Sequence, residues 1–187
     1  MDNHAIRRQA RQNLGQGAVT AGYGADRSVV LRRLNDALAT EIVCALRYRR
    51  HHFMARGMDS KGIADEFLVH SNEELGHADL LAGRIVQLSG EPDLAPAGLA
   101  SRSHAEYVVG ANLVDMIHEN LIAERIAIES YREFIRFLGD QDSTTRRLLE
   151  SILAVEEEHA DELAALLPET GENPRPQTQH QDLTQVA

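Results

Sequence analysis

The chain is short of most features that brace a protein from outside or fix it to a membrane. Cys44 is the one cysteine among 187 residues, so no intrachain disulfide can form, and a reducing, cytoplasmic compartment is the expectation. Tryptophan is absent, and four phenylalanines and four tyrosines are the only aromatics. No stretch approaches eighteen consecutive apolar residues, so no membrane span is expected. The first thirty residues hold Arg7, Arg8 and Arg11 but no apolar run, which argues against a secretory signal. Basic residues are also scarce. Lys and Arg number 19 against 29 Asp and Glu, a formal net charge of −10. Nucleic-acid binding by the surface as a whole is therefore disfavoured, because phosphate contact needs a basic face. The same charge suits a protein that attracts cations.

What is abundant is Ala, Leu, Glu and Arg, a composition that favours helix, in a chain long enough for one domain with a real core. Residues 1–26, with Gly15, Gly17, Gly22 and Gly24 and no periodicity, read as a flexible or loosely docked arm. Residues 168–187, opening Pro-Glu-Thr-Gly-Glu-Asn-Pro, read as a disordered tail. Residues 27–167 between them divide into four helical segments. The first runs from about Arg27 to Arg56, with Gly57 as its C′ residue. The second runs from Ser60 to Ser89, stopped by Gly90 and Pro92. The third starts at Ser103 with a Ser103/Glu106 capping box and ends near Leu138. The fourth spans about Ser143 to Leu167. Short turns join the first pair and the last pair, so each is antiparallel. The longer link between them, with two prolines, can cross the bundle from end to end and make the second and third helices parallel.

One pattern occurs twice. Glu41 precedes Glu74 by 33 residues, and Glu74 opens Glu74-Leu75-Gly76-His77; Glu124 precedes Glu156 by 32, and Glu156 opens Glu156-Glu157-Glu158-His159. That spacing puts one carboxylate on the first helix of each pair and a Glu/His pair one turn apart on the second. All six residues fall on otherwise apolar faces. Glu41 sits between Leu38 and Ala45 in the stripe from Val30 to Tyr48, and Glu74 and His77 between Phe67 and Leu81. Glu124 sits between Ile117 and Ile128, and Glu156 and His159 between Ile152 and Leu163. Burying four carboxylates without counter-charge costs several kcal/mol each or forces protonation. Two divalent cations cancel four carboxylates, and two neutral imidazoles complete the set. Mixed oxygen and nitrogen donors suit iron or manganese better than structural zinc.

Residues 28–167 resemble the ferritin-like di-iron superfamily, and most closely the bacterioferritins. The resemblance is strongest in Glu73-Glu74-Leu75-Gly76-His77-Ala78-Asp79 and Gly90-Glu91-Pro92-Asp93-Leu94. It implies an all-α, ferritin-like four-helix bundle with a long crossover between helices two and three. It also implies two iron ions per subunit, with Glu74 and Glu156 bridging, Glu41 and Glu124 terminal, and His77 and His159 binding one metal each. Tyr48 matches a tyrosine near the family's centre that can donate an electron; the alternative is a plain core tyrosine. The function implied is a ferroxidase that oxidises Fe(II) with oxygen or hydrogen peroxide, for storage and detoxification. Leu75 stands where bacterioferritins carry a haem-ligating methionine, so no haem is expected. Nothing after Pro168 resembles the fifth helix that 24-subunit cages use. A homo-oligomer is expected, and a 12-subunit closed shell fits better than a larger one.

Two other readings remain open. A manganese catalase or di-iron oxygenase uses the same bundle. A Dps-like shell stores iron without catalysis and protects DNA. Arg7, Arg8 and Arg11 would have to radiate from such a shell to touch DNA, which is not the expected partner. Elsewhere, Cys44 reads as a small core residue and His51 and His52 as surface residues at a helix C-terminus. His70, one turn before Glu74 on the same face, reads first as a hydrogen-bonded core histidine and alternatively as a neighbour of the metal ligands or a ligand for iron on its way in.

Overall fold

The computed structural model describes residues 2–57 and 60–167. Its helices are α1 (Asn3–Gln9), α2 (Arg27–Met54), α3 (Ser60–Gln87), α4 (Pro96–Arg102), α5 (Leu113–Leu138) and α6 (Ser143–Leu166), and no strand occurs among the described residues. The four long helices form the bundle. Side-chain pairs fix their directions. Arg49 of α2 meets Asn72 of α3, and Leu31 at the other end of α2 packs over Gly90, so these two helices are antiparallel. Arg33 reaches Glu133 while Arg47 reaches Asn120, which makes α5 antiparallel to α2. Arg84 reaches Thr145 while His70 reaches Glu162, which makes α6 antiparallel to α3. It follows that α3 and α5 run the same way, and residues 88–112 carry the chain back along the bundle.

Two apolar clusters sit above and below the middle of the bundle. One is built on Leu34, Leu38, Leu81, Ile85, Phe134, Leu149 and Ile152. The other gathers Tyr48, Phe67, Met116, Ile117 and Leu163. Each fully buried Leu or Ile contributes roughly 1.5–3 kcal/mol by leaving water. The band between the clusters is polar, and it holds the site.

The third helix begins later than its capping signal suggests. Ser103 does not open a helix; it ends α4, and its hydroxyl donates to the Ala105 carbonyl at 2.6 Å. The backbone that follows is held by α2 instead. The His104 amide donates to Thr40 Oγ1 at 2.9 Å, and the Glu106 carbonyl accepts from Arg47 at 2.8 Å. The true cap is Asn112, whose side chain accepts from the Asp115 amide. Two α2 side chains thus outcompete a local capping box. The first helix also stops early. Ala55 already has extended backbone, so Gly57 is not adjacent to the helix end, although its φ of 134° is one that glycine adopts most easily.

The N-terminal arm is mostly exposed, yet its second half is tied down. Val19 joins the upper core, and the Tyr23 hydroxyl donates to Asp142 at 2.8 Å. Asp142 is also the N-cap of α6, accepting from the Thr145 amide at 2.9 Å, and it pairs with the buried Arg84 at 2.9 Å. One carboxylate therefore joins the arm, α3 and the start of α6. The proposed C-terminal tail at 168–187 lies outside the described residues.

Asp142→Ala is expected to lower stability by about 3 kcal/mol, because it removes a helix cap and strands the Arg84 charge; thermal melts of the full chain check this. At the end of α3 the expected sign is opposite. Ser89 holds a left-handed φ of 57° in a capping motif closed by Gly90 N–H to Ile85 C=O at 2.9 Å. Ser89→Gly should relieve that conformation and raise stability by about 0.5 kcal/mol. A lowered melting temperature would show that the serine is not strained there.

Candidate metal centre

Four long helices each deliver ionisable groups to the polar band. Glu41 comes from α2, Glu74 and His77 from α3, Glu124 from α5, and Glu156 and His159 from α6. All six are buried, the carboxylates to 1 % exposure or less. Ligand atoms of Glu41, Glu74, His77 and Glu156 lie within 4.8 Å of one another, and so do those of Glu74, Glu124, Glu156 and His159. Two four-residue groups thus share Glu74 and Glu156, and the pseudo-twofold repeat of the sequence becomes a pair of adjoining cages.

The individual contacts are those of converging donors. His77 Nδ1 lies 2.9 Å from Glu156, 3.4 Å from Glu41 and 3.5 Å from Glu74. His159 Nδ1 lies 3.6 Å from Glu156 and 3.9 Å from Glu74. The other nitrogen of His159, Nε2, is 2.9 Å from Glu73. A proton on Nε2, donated to Glu73, leaves the Nδ1 lone pair facing the centre. Hydrogen bonds satisfy little of this. Glu74 Oε1, His77 Nδ1, Glu124 Oε2, both Glu156 oxygens and His159 Nδ1 are buried without a hydrogen-bond partner. Unsatisfied buried carboxylate oxygens are costly, and their clustering around two points fits a pair of cations.

The electrostatics agree. Desolvation, reinforced by the charges of Glu156, Glu124 and Glu41, pushes the Glu74 carboxyl well above the usual range. Desolvation and the Glu156 charge raise Glu124 to about 8. Glu156 is raised by burial and by Glu41. Glu41 moves the other way: burial would raise it, but its close contacts with His77, Glu74 and Tyr131 hold it below the ordinary value. His77 is disfavoured as a cation by burial, yet its contacts with Glu156 and Glu41 lift it to about 10. Burial and mutual repulsion thus push three of the four carboxyls towards their protonated forms.

Each outer carboxylate is held by a tyrosine from the opposite half. Tyr48 donates to Glu124, and Tyr131 donates to Glu41. The sequence points to Tyr48 beside the site, whereas Tyr131 is not among the expected site residues. The signal was present: each tyrosine follows the lone glutamate of its own helix by seven residues, in both halves. Glu73 was missed because an exposed helical glutamate carries no pattern. Glu157, between the two buried residues of its run, is exposed and pairs with Arg132 at 2.7 Å.

Two histidines differ from expectation. His51 is not a surface residue but fully buried, with Nδ1 3.1 Å from Asn120. Asn120 also accepts from the buried Arg47 at 3.0 Å, so a polar knot between α2 and α5 draws the ring inward. His52 is partly buried against the Ala64 carbonyl at 2.7 Å. Cys44 is buried, and desolvation pushes its thiol far up, which removes it as a nucleophile at neutral pH. Among the described residues no helix is long and apolar enough to cross a membrane.

The same architecture is found in proteins of known family. The bacterioferritin of Mycobacterium leprae is 32% identical over 147 residues, covering 76% of this chain and 88% of that protein. The bacterioferritin-related protein of Bacteroides fragilis, a dodecameric thioferritin, superposes with a TM-score of 0.73 at 31% identity, over 76% of this chain and 86% of that one. Dps from Thermosynechococcus elongatus shares the fold with a TM-score of 0.73 at 21% identity, over 79% of this chain and 96% of that one. The profile of the ferritin-like domain matches residues 31–171, and the chain belongs to that family.

Proposed function

We propose that the chain is a ferroxidase that binds two Fe(II) per subunit between Glu41, Glu74, His77, Glu124, Glu156 and His159 and oxidises them. The observation that carries this reading is the pair of adjoining buried cages sharing Glu74 and Glu156. Two bound Fe(II) supply one electron each to oxygen or hydrogen peroxide. The protein residues hold the geometry. Glu74 and Glu156 lie between the two positions and serve both, while Glu41 with His77, and Glu124 with His159, complete one position each. Tyr131 and Tyr48 orient the outer carboxylates through their hydroxyl protons. Glu73 fixes the His159 tautomer. The protons held at Glu74 and Glu124 leave as metal enters. Manganese fits the same donors, which keeps a di-manganese enzyme as the second reading.

Storage of the ferric product needs an enclosed volume, and a single bundle has none. We infer a homo-oligomeric shell, twelve subunits being favoured by the dodecameric Bacteroides fragilis relative. A monomer or dimer by light scattering at micromolar concentration would exclude storage and favour the di-metal enzyme.

Glu74→Ala and Glu156→Ala should each abolish rapid Fe(II) oxidation, and Tyr131→Phe should slow it about tenfold by loosening Glu41. Glu157→Ala should change little. Stopped-flow oxidation kinetics separate these outcomes, and equal losses in all four variants would contradict the assignment of faces.

A pH dependence follows from the raised groups. Glu124 rises from 4.5 to about 8 and His77 from 6.5 to about 10, so the folded metal-free chain binds more protons than the unfolded one. Their contribution to stability is complete below the unfolded values and is lost as pH climbs through the folded ones. Chelator-treated protein should therefore melt at progressively lower temperature from about pH 5 to about pH 8. Mn(II) should restore most stability at the upper end, where fewer protons compete with it. A melting temperature that rises over this range without metal would refute the picture of a proton-filled centre.

A further inference from the structure

Beside the buried centre lies a second set of donors that the ferroxidase reading leaves unused. On α3, one turn before Glu74, His70 is fully buried, and its Nε2 lies 2.9 Å from Glu162 of α6 and 3.3 Å from Glu66 one turn earlier on α3. Ligand atoms of Glu66, His70 and Glu162 all fall within 4.8 Å of one another. The protein itself does not balance this arrangement. One imidazole N–H serves one carboxylate well, yet two converge on the same nitrogen. Nδ1 of the ring is buried without a partner. Among the described residues neither Glu66 nor Glu162 has a Lys or Arg partner. Both glutamates border a cleft of about 380 Å³ lined also by Gly62, Ile63, Ala165 and Leu166, so an ion has access from solvent.

We propose that Glu66, His70 and Glu162 form a third, mononuclear site for a divalent cation, separate from the two buried positions. Two carboxylates and one imidazole make a neutral complex with a divalent ion and leave coordination positions for water, a donor set suited to Fe(II), Mn(II) or Zn(II). The rigid partner in the site is His70, locked by burial; the two glutamates are half-exposed and free to close on an ion. The site also adjoins the centre. The His70 ring stacks on that of His159 at 4.0 Å between centroids, and His70, Glu73 and His159 form a further group with ligand atoms within 4.8 Å. An ion held at the cleft is therefore one ring away from the inner cage. Binding at this site does not require the two-metal reading of the centre; only its value as a neighbour of that centre rests on it.

Redox-inert Zn(II) tests the site by calorimetric titration of the full chain, with bound metal counted after gel filtration. The expected stoichiometry is three per chain for wild type and two for the Glu66→Gln, Glu162→Gln double variant. The Glu74→Gln, Glu156→Gln double variant should retain one. In that last protein the first equivalent of Zn(II) should shift the His70 imidazole nitrogen resonances, which surface binding elsewhere would not do. Glu66 and Glu162 are near the surface, so the first double variant should melt within a few degrees of wild type. One equivalent in wild type, lost only with Glu66 and Glu162, would support this site and refute the two-metal centre. The same Zn(II) count in wild type and the Glu66/Glu162 variant, or no binding and no His70 shift in the Glu74/Glu156 variant, would overturn the proposal.

Discussion

The structure is organised around an electrostatic debt at its centre: four carboxylates buried in a helical core that offers them too few donors. Burying one such charge costs several kcal/mol, and like charges at close range raise the cost further. Glu74 and Glu124 are pushed towards their protonated forms and His77 towards its cationic form, a compromise among groups that cannot all be satisfied by each other. The apolar clusters above and below keep water away and hold the four helices at the spacing that makes the compromise necessary. A bundle stabilised for itself alone would place leucines there. The retained carboxylates point to a ligand with positive charge.

The rest of the fold can be read as support for that band. The crossover makes α3 and α5 parallel and relates the halves by a pseudo-twofold, which is what lets Glu74 and Glu156 face each other. Tyr48 and Tyr131 cross from one half to the carboxylate of the other, so each half holds the other's buried glutamate in place. At the far end, Asp142 ties the arm, Arg84 and the α6 cap together and sets where α6 starts.

The repeated Glu and Glu-x-x-His spacing made the bundle and the six convergent residues legible in the sequence, because helical periodicity fixes which face a residue occupies. It failed where distant side chains override a local signal. The Ser103/Glu106 box is a sound cap that never forms, since Thr40 and Arg47 take the backbone it would need. His51 was misplaced for the same reason: its burial depends on Asn120, 69 residues away. Tyr131 was legible in principle through the seven-residue repeat after each lone glutamate. The partners of His70 were not, because Glu66 and Glu162 are half-exposed charges, and helical glutamates one turn from a histidine are ordinarily solvated.

The central claim is that the buried carboxylates exist to hold two metal ions. Anomalous diffraction at the iron edge, on crystals loaded anaerobically with Fe(II), tests it most directly. The account predicts two iron peaks in each subunit, both in contact with Glu74 and Glu156, one flanked by His77 and the other by His159. A single peak, or iron found only outside the bundle while these carboxylates stay protonated, would contradict it.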